Sequence, residues 1–247
     1  MRIVVIVPTY NEAENLPKLV SAVFLLPLDI NVLVVDDNSP DGTGRIADDL
    51  AVANPGRIRV LHRTGKLGLS SAYLQGFHSL FGEKLDAIGQ MDADFSHDPS
   101  ALVEMAKRLE TCDLVLGSRY VPGGRTADNW PLWRKALSAW GNFYARSLLQ
   151  IPLRDVTGGF RLWRPETLQA MPLERVKSSG YIFTVEMAYI AWCLQFQIGE
   201  VPIYFADRRL GKSKMSFKIQ MEAATRVWQV LWAYRDLRQR GKAGRVQ

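Results

Sequence analysis

The first 121 residues alternate between short apolar runs and longer amphipathic segments. Continuous runs rich in Val and Ile are typical of strands buried on both faces, and they predict strands at residues 2–7, 31–35, 57–61, 85–91 and 113–116. Helical periodicity between them predicts helices at residues 16–26, 43–53, 69–81 and 100–110. This strand–helix alternation predicts an α/β fold, with a mostly parallel sheet and helices on both faces.

The pattern changes after residue 121. A long loop at 122–131 precedes an amphipathic helix at 133–149, and a tight turn at 155–161 leads into another strand. The remaining predicted elements are a short helix at 165–171, a core helix at 182–196, a strand at 198–205 and an amphipathic helix at 218–239 before a basic tail. We therefore predict one domain at 1–215, with halves at 1–121 and 122–215, and a C-terminal segment at 216–247.

Polar side chains follow the predicted strands where each strand ends. Tyr10 and Glu12 follow the first strand, Asp37 the second, and Asp92 and Asp94 the fourth. Because ligands of open α/β sheets bind beyond the carboxyl ends of the strands, we expect these residues to line one edge. Taken singly, each is better explained as a solvated or packed loop residue, since most polar residues at strand ends are only solvated. Together they favour a nucleotide site, in which an aromatic ring stacks on a base and a carboxylate accepts its hydrogen bonds.

The sequence Asp92-Ala93-Asp94 directly follows an apolar strand. Its two carboxylates are hard oxygen ligands of the kind that Mg²⁺ and Mn²⁺ prefer, whereas the alternative is a solvated turn. No dinucleotide-type glycine fingerprint follows the first strand and no complete Walker sequence is present, so we expect a metal ion to hold the phosphates. We predict that His97 has a structural role and hydrogen-bonds this loop.

Composition narrows the classes of partner and compartment. The 247 residues carry a net charge of +6, which favours an anionic partner. A nucleic-acid-binding module is one rival, but acids clustered at the strand ends would repel a phosphate backbone without a metal, so we expect no nucleic acid. Cys112 and Cys193 lie in apolar segments, and we expect reduced, buried thiols in an intracellular protein. We expect neither a signal peptide nor a transmembrane helix.

Six motifs, in order, resemble those of family 2 glycosyltransferases. More narrowly they resemble the dolichol-phosphate (polyprenol-monophosphate) mannose synthases, of the short type without transmembrane helices. The motifs lie at residues 7–12, 36–43, 92–97, 117–120, 157–161 and 208–214. The resemblance implies a GT-A fold in which 1–121 binds the nucleotide sugar and 122–215 the acceptor. It also implies inverting transfer of mannose from GDP-mannose to a dolichyl or polyprenyl monophosphate, giving a polyprenyl β-mannosyl phosphate.

The resemblance also implies roles for single residues. The nucleotide-sugar set is Pro8, Tyr10, Glu12, Val35, Asp37, Asp92, Ala93, Arg208 and Lys214. The metal set is Asp92, Asp94 and Ser96, where some relatives have a glutamine in place of the serine. The acceptor-phosphate set is Arg119, Arg134 and Ser138, and the catalytic set is Asp94, Arg119, Arg208 and Lys214. Arg208 and Lys214 are expected on a mobile loop that closes over the donor phosphates.

Two alternatives to this function remain, of which the first is still a sugar transfer and the second is not an enzyme. One is transfer of glucose or another sugar from a UDP-sugar to a polyprenol phosphate. The other is a catalytically inactive scaffold on the membrane, against which the Asp pair and the basic loop argue.

Three further expectations concern side-chain pairing and location. We expect Asp155 to pair with Arg161, and the buried Glu186 to pair with an arginine. Aromatic and basic residues of the helices at 133–149 and 218–239 predict peripheral contact with the cytoplasmic face of a membrane. The alternative is that these rings pack on the core. Some relatives use an anchoring subunit, which is therefore among the expected partners.

Overall fold

The computed structural model describes residues 1–207 and 217–243, with side chains described over 1–207 and 224–239. Its strands are β1 (Arg2–Thr9), β2 (Asp29–Asp36), β3 (Ile58–His62), β4 (Ala87–Gln90), β5 (Leu114–Ser118), β6 (Arg125–Thr126), β7 (Arg161–Trp163), β8 (Ile198–Pro202) and β9 (Tyr204–Phe205). Its helices are α1 (Leu16–Phe24), α2 (Thr43–Ala53), α3 (Leu69–Leu80), α4 (Ala101–Leu109), α5 (Leu132–Leu149), α6 (Pro165–Ala170), α7 (Gly180–Cys193), α8 (Phe217–Ala233) and α9 (Arg235–Ala243).

Seven strands form one sheet in the order β3-β2-β1-β4-β7-β5-β8, and β6 pairs with β9 in a second, two-stranded sheet. All neighbours in the large sheet are parallel except β7, which is antiparallel to both β4 and β5. The predicted α/β class with a mostly parallel sheet is confirmed. The direction of β7 was not predicted, because a three-residue strand has no pattern that encodes its orientation.

Two predicted C-terminal elements are each divided in the structure. The strand predicted at 198–205 is two strands, β8 and β9, which belong to different sheets. The helix predicted at 218–239 is also two helices, and Tyr234 lies between them. Its hydroxyl donates a hydrogen bond to Glu186 of α7, so a tertiary contact fixes the point at which the two helices meet.

The core consists of two apolar layers, one on each face of the sheet. Because successive strand residues point to opposite faces, Val4 and Ile6 of β1 contribute to one layer and Ile3 and Val5 to the other. The first layer contains buried residues of α3 and α5–α9, and the second those of α1, α2 and α4. Both cysteines are free and buried, as predicted. Among the described residues, no helix has the length and apolar character needed to cross a membrane.

A glycine brings α3 unusually close to β1. A Cβ atom at Gly76 would lie 2.9 Å from Cδ1 of Ile6, which is closer than two such carbon atoms can approach. The absence of a side chain therefore allows the helix to lie directly against the strand. Tyr73, one turn earlier on α3, comes within reach of the residues that follow β4.

Candidate active site

The exits of β1 and β2 are tied together by Asp36. Its carboxylate accepts hydrogen bonds from the Thr9 hydroxyl at 2.8 Å and from the Ser39 hydroxyl at 2.6 Å. The backbone N–H of Asp37 also donates to the Thr9 carbonyl at 3.0 Å. Asp36 is therefore a structural residue, and it fixes the loop on which the next residue, Asp37, is presented.

The Asp37 carboxylate is buried and held from two sides. Arg63 donates to one oxygen, and the backbone N–H of Gly68 donates to the other at 3.0 Å. Arg63 also donates to the Ser71 hydroxyl at 2.6 Å, which anchors the start of α3. The structure places Asp37 at the predicted edge in a fixed orientation. Sequence reasoning did not identify Arg63, although it directly follows β3 as Asp37 follows β2.

Tyr10 and Glu12 lie on the loop after β1, as predicted. The Lys66 ammonium lies 3.8 Å from the centre of the Tyr10 ring, a distance typical of a cation–π contact. Glu12 accepts a hydrogen bond from the Asn15 side chain at 2.8 Å. Pro8 of β1 and Val35 of β2 are paired in register, so all the β1 and β2 residues of the predicted nucleotide set lie at neighbouring strand ends.

The loop after β4 carries the predicted metal set in a tight turn. The Asp94 carboxylate accepts a hydrogen bond from the Ser96 backbone N–H at 3.0 Å. Phe95 between them has a φ of 59°, a left-handed conformation that is uncommon for a residue with a bulky side chain. Such backbone strain persists only where the surrounding structure enforces it. The turn therefore aims Asp94 and Ser96 in one fixed arrangement.

The donor atoms of this loop fit a hard divalent cation. Asp92 and Asp94 offer carboxylate oxygens, and the buried hydroxyl oxygen of Ser96 has no hydrogen-bond partner in the structure. A buried polar atom without a partner is costly, and a cation beside it would remove that cost. Within the described part of the chain, no cluster of three or more His, Cys, Asp or Glu side chains could hold a metal. Phosphate oxygens and water are usual further ligands of such a cation.

His97 stabilises the same loop. Its Nδ1 atom accepts a hydrogen bond from the Asp92 backbone N–H at 3.3 Å. Its ring stacks on Phe160 with centres 5.0 Å apart, and it meets the edge of Phe205 at 5.5 Å. The predicted hydrogen bond between His97 and the loop at residues 92–96, which we call the metal loop because it carries the predicted metal set, is confirmed.

Arg119, after β5, is held by Asp155. Its Nε and one terminal nitrogen donate to the two Asp155 carboxylate oxygens at 2.7 and 2.8 Å, and it also donates to the Thr157 hydroxyl at 2.6 Å. Burial opposes ionisation of both partners, yet their mutual attraction raises the pKa of Arg119 and lowers the pKa of Asp155. The pair is therefore ionised, and it fixes the guanidinium plane.

The expected pairing of Asp155 with Arg161 is wrong. Arg161 instead donates to the backbone carbonyls of Gly158 and Val156, both at 3.1 Å. Burial lowers the pKa of Arg161 to about 9. The error arose because the two residues share one turn, whereas the true partner of Asp155 lies 36 residues away in the sequence.

Arg134 and Ser138 lie on the first turns of α5. Arg134 donates to Asp207 at 3.1 Å and lies 3.9 Å from the centre of the Trp130 ring. The Ser138 hydroxyl is 2.8 Å from the hydroxyl of Tyr120, which follows β5. The structure thus brings α5 to the same sheet edge as Arg119. Arg208 and Lys214, the other two basic residues predicted for the site, lie outside the described residues.

A cavity of about 350 Å³ adjoins these residues. Its polar lining comes largely from the strand exits and the start of α5, and includes Asp92, His97, Arg119, Arg134 and Ser138. Its apolar lining comes from the helices, and includes Leu137, Tyr144, Ile182, Val185 and Val227. One residue of the predicted metal set and all three of the predicted acceptor-phosphate set therefore line the same cavity as these apolar side chains. They are Asp92, Arg119, Arg134 and Ser138.

Large apolar side chains outside the cavity are exposed on two adjacent helices. On α5, Trp133 is 62 % exposed and Phe143 is 61 % exposed, while on α8 Trp232 is 64 % exposed. Tyr144 of α5 joins the helices by donating to the Ala224 carbonyl at 3.2 Å. Tyr234, an aromatic residue of the helix predicted at 218–239, is fully buried and so follows the alternative in which such rings pack on the core.

Glu186 has a different partner from the one expected. It accepts hydrogen bonds from the Tyr234 hydroxyl and from the Ser178 backbone N–H, both at 2.9 Å. No arginine forms an ion pair with it among the residues that the structure describes. The expectation of an arginine partner was wrong because a phenol and an amide satisfy the buried acid instead.

Known proteins resemble this chain, some in sequence and others in fold. A polyprenol monophosphomannose synthase of Mycolicibacterium smegmatis is 46% identical over 227 residues, which are 92% of this chain and 85% of that protein. An undecaprenyl-phosphate mannosyltransferase of Micrococcus luteus is 44% identical over 242 residues, covering 97% of this chain and 99% of the relative.

Crystal structures of glucosyl-3-phosphoglycerate synthase from Mycobacterium tuberculosis share the fold. One of them, in complex with Mn²⁺, uridine diphosphate and glucosyl-3-phosphoglycerate, superposes with a TM-score of 0.61 at 16% identity, covering 93% of this chain and 78% of that one. The expected GT-A fold is confirmed. Residues 4–171 match the family described as Glycosyl transferase family 2. The chain therefore belongs to glycosyltransferase family 2.

Proposed function

We propose that the protein transfers mannose from GDP-mannose to a polyprenyl or dolichyl monophosphate. The observation that carries this proposal is the cavity, in which Asp92 of the metal loop and two arginines line the same space as apolar helix residues. A lipid phosphate has an anionic head and an apolar chain, and both kinds of lining suit it. The names of the two relatives, which are 46% and 44% identical to this chain, support the same acceptor class and sugar.

The nucleotide is assigned to the exits of β1 and β2. Tyr10 would stack on the base, while Asp37, already oriented by Arg63, would accept hydrogen bonds from the nucleoside. Pro8, Glu12 and Val35 would complete the walls of this pocket. Displacement of the Lys66 ammonium from the Tyr10 ring would accompany stacking of the base.

Asp92, Asp94 and Ser96 would hold Mg²⁺ or Mn²⁺, with Ala93 beside the diphosphate. When bound, the cation neutralises the negative charge that develops on the leaving diphosphate. Arg208 and Lys214 are assigned a parallel role, donating hydrogen bonds to the same phosphates. The buried, strained turn at 94–96 keeps these oxygen ligands in place before the donor arrives.

Arg119, Arg134 and Ser138 would position the acceptor phosphate for direct attack. A phosphate oxygen forms a bond to the anomeric carbon of mannose while the bond from that carbon to the diphosphate breaks, and GDP leaves with the electron pair. In-line displacement inverts the α-linked donor to a β-linked mannosyl phosphate. Because the acceptor is already anionic, the step requires orientation of the phosphate more than a strong base.

The acceptor chain implies contact with a membrane. The exposed aromatic residues of α5 and α8 lie on the outer side of helices that also line the cavity, so binding of this surface to a bilayer would bring the cavity to the lipid. We propose peripheral binding to the cytoplasmic face, where an anchoring subunit would add to the contact.

The test is transfer of radiolabelled mannose from GDP-mannose to a short polyprenyl phosphate in the presence of Mn²⁺. Asp94→Asn removes a metal-ligand charge while keeping the shape of the side chain, and we expect the rate to fall about a hundredfold or more. Asp49→Asn, at an exposed aspartate on α2, is the matched control and should retain the wild-type rate. Addition of EDTA should abolish transfer by the wild-type protein.

Two results would change the proposal. Label transferred from UDP-glucose but not from GDP-mannose would keep the acceptor and overturn the donor. A folded, metal-supplied protein that transfers no sugar from either nucleotide would overturn the enzymatic function and favour a scaffold. Equal loss of rate in Asp94→Asn and Asp49→Asn would contradict the assignment of Asp94 as a metal ligand.

A further inference from the structure

Tyr73 lies on α3 directly beneath the metal loop. It is fully buried in the apolar layer that contains α5–α9. Its ring stacks with Phe77 of the same helix, with centres 6.2 Å apart, and with Phe183 of α7 at 6.1 Å and an interplanar angle of 3°. Two ring contacts and complete burial hold the phenol in one orientation.

The hydroxyl of this buried ring points to the metal loop. It donates a hydrogen bond to Oδ1 of Asp92, with 3.3 Å between the two oxygen atoms. A carboxylate oxygen accepts hydrogen bonds, so the phenol of Tyr73 is the donor in this contact.

Packing alone does not explain a tyrosine at this position. A phenylalanine would fill nearly the same volume and form the same ring contacts, without the cost of burying a hydroxyl group. The close approach of α3 to β1 at Gly76 brings the Tyr73 hydroxyl to the residues after β4. Both the position of the helix and the choice of side chain therefore allow the hydrogen bond to Asp92. The polar atom of Tyr73 thus acts on Asp92.

We propose that Tyr73 is a positioning residue that fixes the rotation of the Asp92 carboxylate for binding of a divalent cation with a nucleoside diphosphate. This inference rests on the proposed function of the metal loop. A carboxylate held through one oxygen loses less rotational freedom when it binds a metal. Removal of such outer partners typically weakens metal binding by about 10- to 100-fold.

The experiment compares Tyr73→Phe with Tyr189→Phe. Tyr189 is also fully buried, lies on α7 in the same apolar layer and loses the same single oxygen atom. Binding of Mn²⁺ is measured by electron paramagnetic resonance of the free ion, with saturating GDP and, separately, with UDP. We expect the Mn²⁺ dissociation constant to rise about tenfold or more in Tyr73→Phe and to remain unchanged in Tyr189→Phe.

A kinetic measurement separates positioning from damage to the fold. If Tyr73 orients a ligand, Tyr73→Phe raises the Mn²⁺ concentration that gives half-maximal transfer, and saturating Mn²⁺ restores most of kcat. An unchanged Mn²⁺ dissociation constant, or a loss of kcat that persists at every metal concentration, would overturn the inference. Wild-type protein that binds no Mn²⁺ with either nucleotide would overturn the proposed function itself, and the inference with it.

Discussion

The β1–β3 end and the α5–α8 end of the site are built in different ways. At the first end, Asp36 and Asp37 are fixed by short hydrogen bonds among loops that directly follow neighbouring parallel strands. At the second, Arg119 relies on Asp155, and the cavity wall is completed by Val227 near the end of the chain. The first end is thus held by hydrogen bonds between loops that follow adjacent strands, over 26 to 31 residues, whereas the second combines an ion pair over 36 residues with helices from later in the chain.

Of the effects predicted for the two ends, damage to the buried Arg119–Asp155 pair should have the largest effect on stability. Asp155→Asn leaves a buried guanidinium without its counter-charge, and we expect the free energy of unfolding to fall by about 3–5 kcal/mol. The control is Asp236→Asn, because the side chains of Arg175 and Asp236 are 36% and 46% exposed and such a pair is expected to contribute only about 0–1 kcal/mol. Urea denaturation of both variants measures the difference, and equal losses would contradict it.

The same pair predicts a pH dependence of stability at the α5–α8 end. The folded-state pKa of Asp155 is lowered, so its contribution is complete above the unfolded value of roughly 3.9 and is lost as the pH falls toward the folded value. The stability gap between wild type and Asp155→Asn should therefore narrow when unfolding is measured below about pH 4. A gap that stays constant with pH would show that the ion pair is not its source.

A smaller change in free energy is expected from Tyr10→Ala at the β1–β3 end, where we propose that the nucleotide binds. Loss of a stacking ring costs roughly 1–3 kcal/mol per base, which corresponds to a rise of about 5- to 150-fold in the dissociation constant for GDP. The KM for the lipid phosphate should change little, because Tyr10 does not line the cavity. Calorimetric titration with GDP measures the effect, and Tyr204→Ala on β9 is the control. A raised KM for lipid alone would reverse the assignment of the two ends.

The smallest of these effects concerns the surface outside the cavity. Trp133→Ser should weaken binding to vesicles that contain anionic lipid by about 1 kcal/mol, or roughly fivefold, because a partly exposed ring no longer enters the interface. Leu25→Ser is the control, since Leu25 is 85 % exposed but follows α1 on the opposite face of the sheet. Sedimentation with vesicles measures both variants. Equal binding by wild type and Trp133→Ser would exclude Trp133 from the membrane contact.

The sequence predicted the β1–β3 end better than the α5–α8 end for a physical reason. Apolar runs and the polar residues that follow them are local signals, and in a parallel sheet they determine which residues meet at one edge. The location of Asp37, Asp92 and Asp94 followed from such signals. The pairing of Asp155 with Arg119 could not be predicted in this way. These residues lie 36 positions apart, and their contact depends on the insertion of β7, whose direction has no local sequence signal.

Arg63 and Tyr73 show two further kinds of omission. Arg63 had a usable signal, since it directly follows a strand as the predicted site residues do. Tyr73 lies within an amphipathic helix, where an aromatic residue at helical spacing indicates core packing. Only the three-dimensional structure shows that its hydroxyl reaches Asp92.

The antiparallel β7 also constrains the order in which the chain can assemble. Its three residues occupy the space between β4 and β5, and β4 ends 71 residues before β7 begins, as the positions 90 and 161 show. During synthesis, β1–β4 can pair early, but one edge of β4 stays unpaired until residues 161–163 have left the ribosome. A fragment that ends at residue 121 would expose that edge, and open strand edges promote association between chains. The long sequence separation therefore predicts that completion of the central sheet is a late event in folding.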